Sequence, residues 1–329
     1  MDLISQVTLM GGACDRASLI NMRGRSEVEA ALRNGTLIRN ARGRYALANG
    51  REAVARASAV AGVLSHRSAA LHWGWAQKTI PVKPEVTVPR ERRVTKNARS
   101  LILPHWANLV DDDVEGLATT RRRTLVDCMR NLPTDESLPI VDSAIRADDF
   151  THAEVMDLAD ATRGRGRTRI QSTAGAATSK AANVFESVLR ARATLVPGLN
   201  VEAQLPIAVP GSGLVLHPDL GDPVLRIALE AESFEWHGDS AALTRDCRRY
   251  NLLTRMGWIV IRFSWYLVMF EPAYVHRTLI EVVALARQHA NVARWLQAHP
   301  FHPDCHIRMF GCGDGLTQPR ALSQSSRIS

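Results

Sequence analysis

The sequence predicts an α+β fold in several domains, with a helical N-terminal unit, a middle α/β unit and a C-terminal α/β domain on a mixed sheet. Three observations predict it. A chain of 329 residues is longer than one hydrophobic core usually organises. Apolar residues recur at helical spacing near the N-terminus but alternate strictly at 225–232. Between these regions, residues 162–179 are dominated by Arg, Gly, Ser, Thr and Ala, a linker composition. The expected boundaries are 1–50, 51–160, a linker at 161–180, 181–298, and a polar tail at 299–329 expected to be partly disordered.

Composition narrows the class. With 46% hydrophobic residues the chain is globular rather than disordered. No apolar run reaches the ~18 residues of a membrane span, and the opening residues lack a secretory pattern. Five scattered cysteines argue for a reducing compartment, so a cytoplasmic protein with no membrane partner is expected. The net charge of +8 fits a polyanionic partner. Only four of the 41 basic residues are lysines, the last being Lys180, so no chemistry beyond it can use a lysine.

In chain order, Leu3, Ile4 and Val7 predict a first helix and 16–22 a second. Ser26 and Glu29 have the spacing of a capping box for a third helix, which Gly35 closes. Strands at 36–39 and 45–47 flank Arg42-Gly43-Arg44. Three helices followed by a basic hairpin is a winged-helix pattern. Arg39, Arg42 and Arg44 are its candidate DNA contacts; the alternative is a winged helix that packs on a neighbour and touches no DNA.

The middle unit opens with Leu64-Ser65-His66-Arg67-Ser68-Ala69-Ala70-Leu71-His72-Trp73, with Ser65 as N-cap. A strand follows at 85–88. Residues 114–120 read as a strand running into a helix that Thr119 or Thr120 caps. His66 and His72 have no cysteine or carboxylate at metal spacing, so they read as ordinary helix-face histidines. Arg121 to Arg123 either grip phosphate or form a solvated helix start. The Arg163 to Arg169 strip is either a phosphate track or a solvated hinge. This front half resembles the antitoxin-like proteins of AbiE-type (type IV) toxin–antitoxin systems, on the winged-helix pattern, the block at 64–73 and the T-T-x-x-R-T-L-V-D block ending at Asp127. The resemblance implies DNA binding, repression of the protein's own operon and a cognate toxin or operon partner.

From 181 to 284 the expected order is α-β-β-β-α-β-α. Strands fall at 201–209, 214–220, 225–232 and 258–263, and helices through Phe185, over 244–255 and over 273–287. Glu230 and Glu232 share one face of the third strand because strand side chains repeat every two residues. Two readings stand: a hard, oxygen-rich site for Mg²⁺ (or Mn²⁺) with Asp219, or a solvated acidic face. His237 is placed to move a proton in the first reading. A tight turn at 221–223 would set Asp219 opposite 225 or 226, so approach to Glu230 requires a looser turn or a bulge.

These residues also carry a resemblance. Glu186, Gln204, Asp219 in His-Pro-Asp-Leu, the run from Leu229 to His237, the run from Arg245 to Leu253, and Arg262 in Val-Ile-Arg-Phe are similar to the very-short-patch-repair (Vsr)-like endonucleases. These are a branch of the restriction-endonuclease-like PD-(D/E)XK superfamily. The resemblance implies a Mg²⁺-dependent hydrolase of DNA phosphodiester bonds. In it Asp219 and Glu230 are metal ligands, and Glu232 stands where the wider superfamily has lysine. Transition-state stabilisation is left to Arg249, Arg262, His237 or the metal. Asp246 and Arg249 read as a helix-face pair beside the site or a merely structural salt bridge. The alternative function is a non-catalytic antitoxin-type regulator with an inactive nuclease fold. His299, His302, Cys305, His306 and Cys312 have no closed zinc spacing.

Overall fold

The computed structural model describes residues 3–10, 12–41, 44–47, 50–232 and 240–298. The fold is mixed α+β. Arg42, His237, Ser233 and the C-terminal histidines and cysteines lie outside the described residues, as does the expected tail. Among the described residues, no helix is long and apolar enough to cross a membrane.

The N-terminal part contains α1 (Leu3–Leu9), β1 (Ala13–Asp15), α2 (Arg16–Arg23), α3 (Arg25–Arg33), β2 (Leu37–Ala41) and β3 (Arg44–Leu47). The strands form an antiparallel sheet in the order β1-β3-β2. Leu3, Val7, Leu19, Val28, Leu37 and Tyr45 share one buried core. The third helix starts differently from expectation. Gly24 is its N-cap, at φ 81°, and Ser26 lies inside the first turn. The reason is competition for Glu29 and Glu27: each pairs with an arginine four residues earlier, Arg25 and Arg23 respectively. Glu29 therefore does not reach back to a cap.

The middle part begins with α4 (Gly50–Ala59), β4 (Val63–Leu64), α5 (His66–His72), β5 (Glu85–Val88), α6 (Lys96–Leu101), β6 (Leu103–Trp106), β7 (Val114–Glu115) and β8 (Ala118–Thr119). These strands order as β6-β5-β4-β8-β7. Helices α7 (Arg121–Asn131), α8 (Thr134–Arg146), α9 (His152–Ala161) and α10 (Arg167–Ala176) follow. Ser65 is the N-cap of α5 but its side chain makes no cap bond, whereas Thr120 caps α7 by accepting from Arg123 N–H. Arg121 is paired with Asp149 at 3.2 Å and Arg123 with Asp113 and Asp127, so these two arginines stabilise the fold rather than await phosphate.

The expected linker is a correction. Residues 167–176 form α10, which packs on α7, α8 and α9 and buries Ile170, Thr173 and Ala174 completely. The segment's small residues let it lie close to its neighbours. A Cβ at Gly166 would stand 2.8 Å from the Arg130 side chain. The buried positions of so polar a stretch are one isoleucine, one threonine and one alanine, so packing rather than composition reveals the helix.

The C-terminal part runs α11 (Val184–Ala193), β9 (Glu202–Ala203), β10 (Ile207–Ala208), β11 (Val215–Leu216), β12 (Leu220–Asp222), β13 (Ile227–Glu232), α12 (Ser240–Arg255), β14 (Ile259–Ser264), α13 (Trp265–Phe270) and α14 (Pro272–Ala298). The main sheet has the order β14-β13-β12-β9; β13 and β14 are parallel and the rest antiparallel. Each of the first two expected strands is split. The outer pieces, β10 and β11, form a separate two-stranded ribbon. One face of the sheet buries Ile227 and Leu229 against α11, α13 and α14; the other buries Ala228 with Leu205 and Leu253. Helix α11 is fastened to α8 by a buried pair, Arg190 to Asp142, whose carboxylate also accepts from Ser187 Oγ (2.6 Å) and Thr178 N–H (2.9 Å). Residues 1–287 form one compact unit.

Replacing Ile170 with Ala tests the docking of α10. A fully buried isoleucine should cost about 2–5 kcal/mol in urea unfolding. A residue in a solvated linker would change stability by about 0.5 kcal/mol or less.

Candidate active site

The site is built where β12 and β13 run beside each other under α12. Its register is set by the turn at 223–226. Asp222, at the end of β12, is buried; its Oδ1 accepts from Val224 and Leu225 N–H, both at 2.9 Å, and its Oδ2 from Asn200 N–H at 2.8 Å. Arg226 closes the turn in the left-handed region, φ 52°. Strand β13 therefore starts at Ile227, two residues later than expected, and Leu220 pairs with Leu229. Continuing that pairing by one residue sets Asp219 opposite Glu230. The expected tight turn is thus replaced by a longer one, and the obstacle to bringing the two carboxylates together disappears. Fully occupied by backbone donors, Asp222 is unable to substitute for Asp219.

Asp219 accepts from Ala231 N–H through Oδ2 at 2.8 Å and from Gln204 Nε2 through Oδ1 at 3.3 Å. Gln204 adopts φ 53° and donates its own N–H to Asp219 O at 3.0 Å, which breaks the first expected strand and turns the side chain to the site. Glu186 stands at the start of α11 in a reciprocal cap. Asn183 Oδ1 accepts from Glu186 N–H at 3.0 Å, and Asn183 Nδ2 and Ala182 N–H donate to the Glu186 carboxylate.

Glu230 is 1% exposed, which excludes the solvated-face reading for it. Arg249 of α12 donates to its Oε2 at 3.1 Å. Its Oε1 is buried and has no hydrogen-bond partner. Glu232, nearer the sheet edge, accepts from Arg262 Nε at 2.9 Å and from the Tyr250 hydroxyl. Tyr250 lies between two guanidinium groups, 4.9 Å from Arg249 and 4.6 Å from Arg262 to the ring centroid. Asp246 lies 4.0 Å from Arg249 and is partly exposed, a weak helix-face pair at the rim.

The electrostatics follow from two buried carboxyls, Glu230 and Glu186, with the partly buried Asp219 beside them. Burial, and then repulsion from Asp219 and Glu232, pushes Glu230 up to about 8 despite Arg249. Burial and the charge of Asp219 push Glu186 up to about 7. Burial raises Asp219 as well, against the N–H of Ala231 and the Arg249 charge. Burial works against ionised Glu232 too, but the hydrogen bonds from Arg262 and Tyr250 outweigh it and hold that carboxyl below its ordinary value. Glu230 thus keeps its proton at neutral pH even with the Arg249 charge beside it.

Hard oxygens and the orphaned Glu230 Oε1 are the donor set a divalent cation takes. Among the described residues no three His, Cys, Asp or Glu side chains already enclose an ion position. Arg249 covers one Glu230 oxygen, and backbone and amide donors hold Asp219.

Sequence reasoning brought Asp219, Glu230, Glu232, Glu186, Gln204, Arg249 and Arg262 to one neighbourhood, and the structure juxtaposes them. It missed two groups. Tyr250 is one; its signal is the helical spacing of 246, 249, 250 and 253 on α12. His217 is the other, exposed two residues before Asp219, with Nδ1 3.3 Å from Gln204 O. His66, expected on a helix face, is buried instead. It stacks on His105 at 3.8 Å and contacts Asn131 at 3.0 Å.

No known family's sequence profile matches the chain. An uncharacterized protein of Mycobacterium tuberculosis, Rv2248, is 32% identical over 148 residues, covering 44% of this chain. The counterpart in another strain, MT2308, matches to the same extent. The chain spans about half, 54%, of the length of these curated relatives. The crystal structure of the Rv2827c protein from M. tuberculosis aligns with 65% of this chain and 89% of its own, at 15% identity and a TM-score of 0.29.

The raised Glu230 has a measurable consequence. Its folded value of about 8 exceeds its ordinary 4.5, so between these pH values the folded state holds a proton that the unfolded state has lost. Stability should fall as pH rises through this window and level off above it. Glu230→Gln should flatten that dependence in urea unfolding at successive pH values. An unchanged slope would contradict the buried, proton-holding Glu230.

Proposed function

We propose that the protein is a DNA-acting, metal-dependent phosphodiesterase of the endonuclease type, with Asp219 and Glu230 as the residues that hold Mg²⁺ or Mn²⁺. The observation that carries the reading is the buried Glu230 Oε1 without a partner, beside Asp219 and under a single guanidinium. The element order of 184–264 supports it: α11, then β9 to β13, then α12 and β14, which is the expected α-β-β-β-α-β order with its first two strands each split in two. A bound divalent ion supplies two things to phosphodiester hydrolysis: an acidified water and compensation of charge on the phosphate oxygens.

The chain's own residues supply the rest. Gln204 and Ala231 N–H orient the Asp219 carboxylate. Arg249, drawn to Glu230 here, is the cation nearest the buried carboxylates and stands in for the absent lysine. Arg262 and Tyr250 fix Glu232 at the mouth. His217 is exposed at the same end and able to exchange a proton with water or a leaving group. In the N-terminal part, Arg39 is exposed on β2, as a DNA contact of a winged helix must be. The Arg44 side chain and Arg42 lie outside the described residues.

The closed Arg249–Glu230 pair favours a second reading, an antitoxin-type regulator whose nuclease fold no longer takes a metal. Plasmid nicking with and without Mg²⁺ or Mn²⁺ separates the two. The nuclease reading expects metal-dependent cleavage that Asp219→Ala lowers by about 10³-fold or more, with DNA binding retained. Wild type and variant equally inactive on duplex, mismatched and single-stranded DNA would favour the regulator, and a variant that cuts as well as wild type would overturn the site assignment.

A further inference from the structure

The arginines of this chain fall into two groups. Many are committed to carboxylates: Arg67 to Glu85, Arg121 to Asp149, Arg123 to Asp113 and Asp127, Arg190 to Asp142, Arg249 to Glu230. The excursion between β5 and β6, residues 89–102, is different. Arg90, Arg92, Arg93, Lys96 and Arg99 are all exposed there, and none forms an ion pair with another described residue. Glu91 is the one acidic residue of the segment.

The excursion is also held in place. Arg92 N–H donates to Pro89 O at 2.9 Å, closing a turn. Arg90 N–H donates to Asn108 Oδ1 at 3.0 Å, and Trp106 Nε1 to Arg92 O at 3.1 Å, so both bonds tie the outgoing arm to the returning one. Thr95 caps α6 by accepting from Ala98 N–H. Lys96 and Arg99, three residues apart, share a face of that short helix. Arg99 lies 5.2 Å from the centroid of the Trp106 ring, which is 41% exposed. The result is an indole platform with cations around it, on the edge strand of the middle sheet.

We propose that this surface, centred on Trp106, is a docking site for a single-stranded segment of nucleic acid, whose phosphates meet the cations and whose unpaired base stacks on the indole. Cations alone would fit any polyanion. The exposed ring beside an arginine selects nucleic acid, because stacking on an aromatic face is what an unpaired base adds to phosphate attraction. An acidic protein surface would leave the indole without a use. The proposal rests on the DNA-acting reading but not on cleavage, since the surface lies on β6 and α6 and uses no residue of the carboxylate cluster.

The test is binding of a fluorescent single-stranded oligonucleotide to the full chain in EDTA, across a range of salt concentrations. Arg92→Ala/Arg93→Ala/Lys96→Ala/Arg99→Ala should weaken binding by at least tenfold and lower the log–log salt slope by about 0.7 for each phosphate that is no longer neutralised. Trp106→Ala should weaken single-strand binding at an unchanged salt slope and leave duplex binding as it was. All five side chains are exposed, and circular dichroism and the thermal midpoint of the quadruple variant should match wild type; Trp106→Phe, which also lacks the indole N–H that bonds Arg92 O but keeps a ring, should bind the single strand better than Trp106→Ala. An unchanged affinity and slope in the quadruple variant overturns the proposal. Loss of duplex and single-strand binding together, with no effect of Trp106→Ala, overturns the stacking role, and equal competition by polyglutamate makes the surface a site for acidic protein. Plasmid nicking by wild type in Mg²⁺, run in parallel, reports on the nuclease reading alone, so its failure stays distinguishable from failure of this one.

Discussion

The constraint on which the C-terminal architecture depends is the burial of Glu230 beside Asp219 under one guanidinium. A carboxylate at 1% exposure is costly unless paired, and here one oxygen has Arg249 and the other has nothing. Placing them together requires the antiparallel register of β12 and β13, which depends on the turn that Asp222 holds. It also requires α12 to cross from β13 to β14 with 249 and 250 facing the sheet. Removing any of these supports would separate the acids, relieving the repulsion but dissolving the site.

Much of this region was legible because strands announce themselves by alternation. Ile227, Leu229 and Ala231 against Glu230 and Glu232 gave both the strand and the common face of the two acids. What alternation does not encode is register, which rests on side-chain bonds from Asp222 to three backbone donors. Nor does it encode burial: the acidic face is covered by α12, a tertiary contact. Gln204 in the left-handed region broke a strand that local propensity favours as continuous. At α10, Ile170, Thr173 and Ala174 are too few apolar positions to stand out in an Arg- and Gly-rich stretch, so packing against α7 to α9 decides what composition obscured. At α3, the arginine partners of Glu27 and Glu29 displaced the expected cap.

Charge is distributed by use. The middle part spends Arg121 and Arg123 on internal carboxylates around the start of α7, while the 89–102 excursion keeps its cations exposed beside an indole. A sequence count treats these groups alike; only the pairing geometry separates arginines that hold the fold from arginines that face solvent. The same distinction applies within the site, where Arg262 is fixed on Glu232 at the mouth and Arg249 on Glu230 inside.

The central claim is that the acidic cluster takes a divalent cation. Titration of Mn²⁺ into the full chain, followed by the loss of the free-ion electron paramagnetic resonance signal, tests it directly. The account predicts one strongly bound ion per chain, absent in Glu230→Gln and displaced by Mg²⁺. Wild type that binds no Mn²⁺ at millimolar concentration, or a variant that binds it as well as wild type, would contradict it.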